Sequence, residues 1–268
     1  LFVVAATAAK DTWNEDDNEA ETLEITLYDS LIHTELVLSY TIYKELPVIA
    51  RNVKFIHKGK STIILNSAMS VCVDFPDSKF EMIHLAGAWG RERHVKIRKL
   101  EQGTQAIYSM AGASSSEHNP FIALKRTNVD EFNGEVYGFS LVYSGNHLEQ
   151  IEVSTHDMTR VIIGIHPDTF EWPLSEGEVF QTPEVVMVYS NCGMNKMSQT
   201  YHELYRTRLV RGEWRDKVRP ILINNWEATE MEFTEKKVLK IAKAGKDLGM
   251  ELFVLDDGWF GNRDNDKC

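Results

Sequence analysis

Apolar and polar residues alternate with a period of two through most of the first 190 positions. Leu23, Ile25 and Leu27 take one side while Glu24, Thr26 and Tyr28 take the other, and the same rhythm runs through 35–43 and 49–56. Successive strand side chains point to opposite faces, so this pattern predicts strands with one face buried. Further runs at 61–65, 69–75, 94–100, 106–110, 121–125, 135–143, 150–154, 160–165 and 184–190 are separated by Gly, Asn, Asp and Ser. The opening L-F-V-V-A-A has no basic leader and is expected to be the middle of a strand. Many short strands with little helical spacing predict a mainly β chain, with an antiparallel β-sandwich over 1–191. The acidic stretch 14–19 is expected as a solvated loop within it.

Near position 191 the rhythm changes. Met197, Tyr201, Leu204, Tyr205 and Leu209 recur at helical spacing, which predicts a connecting helical linker over 192–218. Two apolar runs follow, R-P-I-L-I-N-N-W-E at 219–227 and E-L-F-V-L-D-D-G-W-F-G at 251–261. Between them Val238, Ile241, Ala242 and Leu248 lie at helical spacing, with Thr234 as a candidate N-cap and Gly249 as a C-cap. Residues 252–255 are apolar without interruption, which suits a strand buried on both faces of a parallel sheet. Residues 219–268 therefore read as one βαβ unit, the opening of a larger parallel α/β domain, because a lone unit cannot cover both faces of its strands.

Composition narrows the partners. A net charge of −11 argues against nucleic acid and anionic membranes. No apolar run approaches the ~18 residues needed to span a bilayer. Cys72, Cys192 and Cys268 are scattered, and no Cys or His pair has metal-ligand spacing, so neither a metal nor a cofactor is expected. Free thiols fit a reducing compartment, and the expected location is cytoplasmic.

The candidate chemistry lies at the end of the second apolar run. Asp256 and Asp257 are poor core material, because buried charge is costly unless paired. Adjacent acids alternate sides in extended backbone and cannot form a face-to-face acid/base couple. They can, however, each accept hydrogen bonds from hydroxyls of one polyol. Trp259 and Phe260 add aromatic surface of the kind that covers the apolar faces of sugars. A plain surface turn accounts for D-D-G-W equally well. Trp226 ends the first apolar run, either at the same rim or as an interior plug. Trp89, in H-L-A-G-A-W-G-R-E-R, has small neighbours that leave its ring projecting from a loop or folded back on its own sheet. The stretch 114–121 reads as a polar turn, since no base marks its serines as nucleophiles.

These segments also carry a resemblance. A-G-A-W-G-R-E-R (86–93), H-N-P-F-I-A-L (118–124), G-E-V-Y-G-F-S-L-V-Y-S-G-N (134–146), M-S-Q-T-Y-H (197–202), R-P-I-L-I-N-N-W-E-A (219–228) and the D-D-G-W segment resemble, in order, bacterial α-galactosidases of glycoside hydrolase family 36. The resemblance implies a β-supersandwich, a helical linker and the start of a truncated (β/α)8 catalytic barrel. It implies a retaining hydrolase acting on terminal α-galactosyl residues of melibiose- and raffinose-type oligosaccharides. Asp256 and Asp257 match the acids that hold galactose hydroxyls, and Trp226 matches an active-site tryptophan. Trp89 matches a tryptophan that, in tetrameric members, completes a neighbouring subunit's pocket, so a homotetramer is expected.

One departure matters. The family nucleophile sits in a K-x-D motif and its acid/base is a later Asp, but no K-x-D occurs in the 268 residues. Retaining hydrolysis needs two carboxyl groups about 5–5.5 Å apart flanking the bond. Both catalytic groups are therefore expected beyond Cys268, and this chain alone is expected to be inactive. The alternatives are a free-standing carbohydrate-binding sandwich, or an α-N-acetylgalactosaminidase or galactosyltransferase on the same scaffold.

Overall fold

The alternating runs fold as strands. In chain order they are β1 (Phe2–Ala9), β2 (Ala20–Asp29), β3 (Thr34–Tyr43), β4 (Val48–His57), β5 (Ile63–Leu65), β6 (Met69–Phe75), β7 (Glu81–Ala88), β8 (Arg91–Lys99) and β9 (Gly103–Ser109). They continue as β10 (His118–Lys125), β11 (Val136–Leu141), β12 (His147–Val153), β13 (Thr159–Ile165), β14 (Trp172–Leu174), β15 (Val179–Gln181) and β16 (Val185–Ser190). The computed structural model describes the backbone of residues 2–9 and all of residues 20–260. The expected acidic loop at 14–19 and Cys268 lie outside these described residues. The chain divides into two units, Leu1–Leu209 and Val210–Cys268.

In the first unit, one antiparallel sheet has the order β1-β2-β3-β4-β16-β11-β10-β7-β8, with β15 also paired to β4, and a second has the order β6-β13-β12-β9. Met82, Ile122, Leu124 and Phe139 of the large sheet share one core with Val71, Ile107, Ile151 and Ile163 of the small one. This is the β-sandwich that the period-two pattern predicts. The other face of the large sheet is covered by α1 (Gly193–Leu204), whose Met197, Tyr201 and Leu204 pack on Ala123, Val136, Val186 and Val188. The Tyr201 hydroxyl donates to the Val186 carbonyl at 3.0 Å. Gly138 permits this approach, because a Cβ there would stand 2.8 Å from both the Met197 sulfur and the Tyr201 ring.

The helical segment differs from the predicted linker. After α1 one π-helical stretch, Tyr205–Leu209, completes the helix, and the irregular stretch that follows contains a turn at 213–216. The Met and Tyr stripe packs on the sandwich, and the helix belongs to that unit.

Three strands were not visible in the sequence. β14 and β15 are only three residues long, too short for a periodic signal. β7 lies in the stretch read in part as a loop around His84 and Trp89. Its residues pair with β8 from Glu81 to Ala88, so only Trp89 and Gly90 turn the hairpin. The small residues of L-A-G-A hide the alternation of β7. Likewise His118–Pro120, read as turn, begins β10.

The second unit contains β17 (Leu222–Asn224), α2 (Trp226–Thr229), α3 (Glu235–Asp247) and β18 (Leu252–Val254). β17 and β18 pair in parallel, Ile223 opposite Phe253. Thr234 caps α3 by accepting from the Lys237 N–H, and Gly249 takes φ +86° just past its end. The predicted βαβ unit is therefore present.

Candidate functional site

Parallel strands present their C-terminal ends on the same edge. That edge brings Asn224 at the end of β17, with Asn225 and Trp226 after it, beside Asp256 and Asp257 after β18. The two ends are tied by side chains. The Asn224 Nδ2 donates to Asp256 Oδ2 at 2.7 Å, and its Oδ1 accepts from the Trp226 N–H at 3.2 Å. The Asn225 Oδ1 accepts from the Asp256 N–H at 2.9 Å. Asn225 is wholly buried, and its Nδ2 donates to Thr229 Oγ1 at 2.9 Å.

Asp256 is half-buried and oriented. Besides the bond from Asn224, its Oδ1 accepts from the Asp257 N–H at 2.9 Å. Asp257 is exposed, and its carboxylate accepts no hydrogen bond among the described residues. The turn that follows depends on Gly258, at φ +99°, where a Cβ would lie 2.8 Å from the Met231 carbonyl oxygen. Only glycine takes that conformation so close to another backbone segment without strain. The turn leaves Trp259 66% exposed, with its ring edge-on to Phe260 at 5.8 Å. Across the rim, Trp226 opens α2 with its side chain half-buried.

Of the four predicted site residues, three occupy this edge: Asp256, Asp257 and Trp226. Trp89 belongs to the first unit. Its ring is 91% exposed at the tip of the β7–β8 hairpin, whose turn is held by the Gly90 N–H donating to Glu92 Oε1 at 2.9 Å. The edge offers carboxyl acceptors, an aromatic surface and a backbone tied by side-chain hydrogen bonds. It suits holding hydroxyls, and among the described residues it contains no separated acid/base couple. No group of three or more His, Cys, Asp or Glu side chains suited to a metal occurs among the described residues.

Sequence reasoning missed Asn224, Asn225 and Thr229. The available signal was three polar residues bracketing a Trp straight after an apolar run, with Thr four positions from Asn225. A second omission is a polar cluster inside the sandwich. His147 Nδ1 and Glu149 Oε2 lie 2.7 Å apart with both side chains fully buried. The His84 and His118 rings are 5.8 Å apart. Burial, then the charges of Arg98, His118 and Lys96, push the His84 pKa down to about 4. Burial likewise raises that of Glu149, against the hydrogen bond from His147.

Comparison with known proteins defines the class. Residues 5–175 match the glycosyl hydrolase family 36 N-terminal domain and residues 179–268 match the melibiase family. The chain belongs to glycosyl hydrolase family 36. It is 58% identical to α-galactosidase AgaA of Geobacillus stearothermophilus, over 96% of this chain and 35% of that protein. It is 46% identical to α-galactosidase Mel36A of Lactobacillus acidophilus, over 96% of this chain and 35% of that one. The crystal structure of G. stearothermophilus AgaB superposes with a TM-score of 0.93 at 55% identity, covering 99% of this chain and 38% of that chain. A variant of AgaA in complex with stachyose superposes with a TM-score of 0.92 at 54% identity, over 98% and 38%. The chain thus spans about a third of the length of the curated relatives it matches.

Proposed function

We propose that this chain is the N-terminal portion of a retaining α-galactosidase that releases terminal α-D-galactosyl residues from melibiose- and raffinose-type oligosaccharides. The observation that carries the reading is the pair Asp256 and Asp257 at the end of a parallel strand, one braced by its neighbours and one exposed. The relatives named above as α-galactosidases, and the AgaA variants bound to stachyose and raffinose, support the sugar class. Asp256 and Asp257 would accept galactose hydroxyls, with Trp226 lining the same pocket. The nucleophile and the acid/base would come from outside these 268 residues, which contain no K-x-D. The whole protein would be a tetramer in which the exposed Trp89 ring completes a neighbour's pocket. Its location would be cytoplasmic, in keeping with the free, exposed thiols of Cys72 and Cys192.

An assay with an aryl α-galactoside tests the division of labour. The 268 residues alone should give no turnover, while the same segment in a protein of full family length should be active. Turnover by the short chain that vanishes in both Asp256→Ala and Asp257→Ala would overturn the assignment and make these acids catalytic.

A further inference from the structure

The interactions between the ends of β17 and β18 are closed within one unit of the chain. We propose that Asn224 and Asn225 are positioning residues that aim the Asp256 carboxylate from the neighbouring strand, presetting it for sugar hydroxyls. This rests on the reading of Asp256 and Asp257 as the acids that hold the sugar.

The chemistry of the partners requires amides at both positions. Asn224 faces a donor, the Trp226 N–H, at one end and an acceptor, Asp256 Oδ2, at the other. Among side chains that keep one form across the pH range, an amide, with an oxygen and an NH2 group in one plane, satisfies both. An aspartate at 224 would keep the bond from Trp226 but set a second carboxylate against Asp256. Asn225 repeats the arrangement one residue on. Its Oδ1 meets the Asp256 N–H and its Nδ2 meets the Thr229 hydroxyl, which donates back to the Asn225 carbonyl at 2.9 Å. Both polar atoms of the side chain therefore have a partner while it is wholly buried, as buried polar groups generally do.

The result is an Asp256 held at its backbone by Asn225 and at its carboxylate by Asn224 and the Asp257 N–H. Each of its oxygens already accepts one hydrogen bond and retains capacity for another. Those two remaining positions have fixed directions, so donors on one sugar ring meet acceptors that need not reorganise. Asp257 makes no comparable bond among the described residues and supplies the adaptable partner. The two adjacent acids thereby differ in role, one preset and one free to adjust.

The test uses the full-length enzyme, an aryl α-galactoside as probe, and three variants whose melting temperatures are measured alongside. Asn224→Leu should raise KM about 10- to 100-fold with a smaller change in kcat, as expected when the carboxylate that holds bound sugar loses the charge-assisted hydrogen bond that aims it. Asn224→Asp should behave differently with pH. Two facing carboxylates share a proton, and the protonated member can replace the missing donor. Its kcat/KM should therefore approach that of the parent at low pH and fall as pH rises and the shared proton leaves, a limb absent from the parent. A merely structural role would give the same loss at every pH. Asp257→Asn is the control for the underlying reading. If it is impaired while both Asn224 variants match the parent, or if Asn224→Asp loses activity equally at all pH values, the positioning role is overturned. If Asp257→Asn is itself unimpaired, the reading of the acids has failed and the positioning role falls with it.

Discussion

In the sandwich Ile122, Leu124, Ile151 and Ile163 have no exposed surface, whereas in the βαβ unit Leu222 is 52% exposed, Leu239 59% and Leu248 79%. Both regions are built from apolar runs of similar strength. The sandwich closes its core with two facing sheets and adds a helix on the outer face of the larger one. The βαβ unit has two helices, one of them a single turn, and two three-residue strands, and its apolar side chains find few partners within the unit. The candidate site sits on this less covered unit. Its order comes from a local hydrogen-bonding network, because the packing that holds a barrel strand needs neighbours on both faces.

The largest effect should separate the two cores. In the 268-residue chain, Leu124→Ala should destabilise the sandwich by about 2–5 kcal/mol, from lost burial plus a cavity. Leu239→Ala in α3 should stay within about 0.5 kcal/mol, as for other exposed positions. Urea denaturation followed by tryptophan fluorescence and circular dichroism measures both. Equal losses would mean that α3 is as well packed as the sandwich.

Next in size is the site itself. In the full-length enzyme Asp257→Asn should lower kcat/KM about 10- to 100-fold, the equivalent of ~1.5–3 kcal/mol for a bond to a charged acceptor. Its melting temperature should not move, since the carboxylate supports nothing in the described fold. Normal kinetics would reduce D-D-G-W to a surface turn.

A smaller effect should appear as pH dependence confined to the sandwich. Burial holds His84 at about 4, below its ordinary 6.5, and lowers His118 in the same direction. Between those values the unfolded chain binds a proton that the folded chain does not. The stability these residues allow is thus complete above about pH 6.5 and is lost as pH falls toward 4. Glu149 works in the opposite sense, because its raised pKa makes the fold retain a proton as pH rises above the carboxylate range. Denaturation midpoints at pH 7, 6, 5 and 4 should therefore decline on the acid side, and His84→Leu should flatten that decline. A slope unchanged by the substitution would place the acid sensitivity elsewhere.

Smallest of all should be the effect of Trp89→Ala on stability, within about 0.5 kcal/mol, since the ring packs on little of its own unit. If the tetramer proposal is right, KM for oligosaccharides should rise in the whole enzyme all the same. A large fall in melting temperature with unchanged KM would instead show that the ring is covered within its own subunit.

The sequence determined which segments could be strands and where they change to helix. Alternation at Leu23, Ile25 and Leu27, the cap at Thr234 and the unbroken run before Asp256 are local signals, each set by a few neighbouring residues. These sufficed for the sandwich, for the βαβ unit and for the expectation that Asp256 and Asp257 end a strand. Tertiary structure decided what depends on partners distant in the chain. Asn224 reaches a carboxylate 32 positions away, and no spacing rule links the two until the strands lie side by side. His84 and His118 read as ordinary polar positions until two strands pair and a second sheet covers them. Trp89 lies at the tip of a hairpin because β8 pairs with β7, and β7 shows no clear alternation by itself. Periodicity records which face of an element is buried. The identity of the group that meets that face is settled only when the elements pack, and the bracing of this site depends on that step.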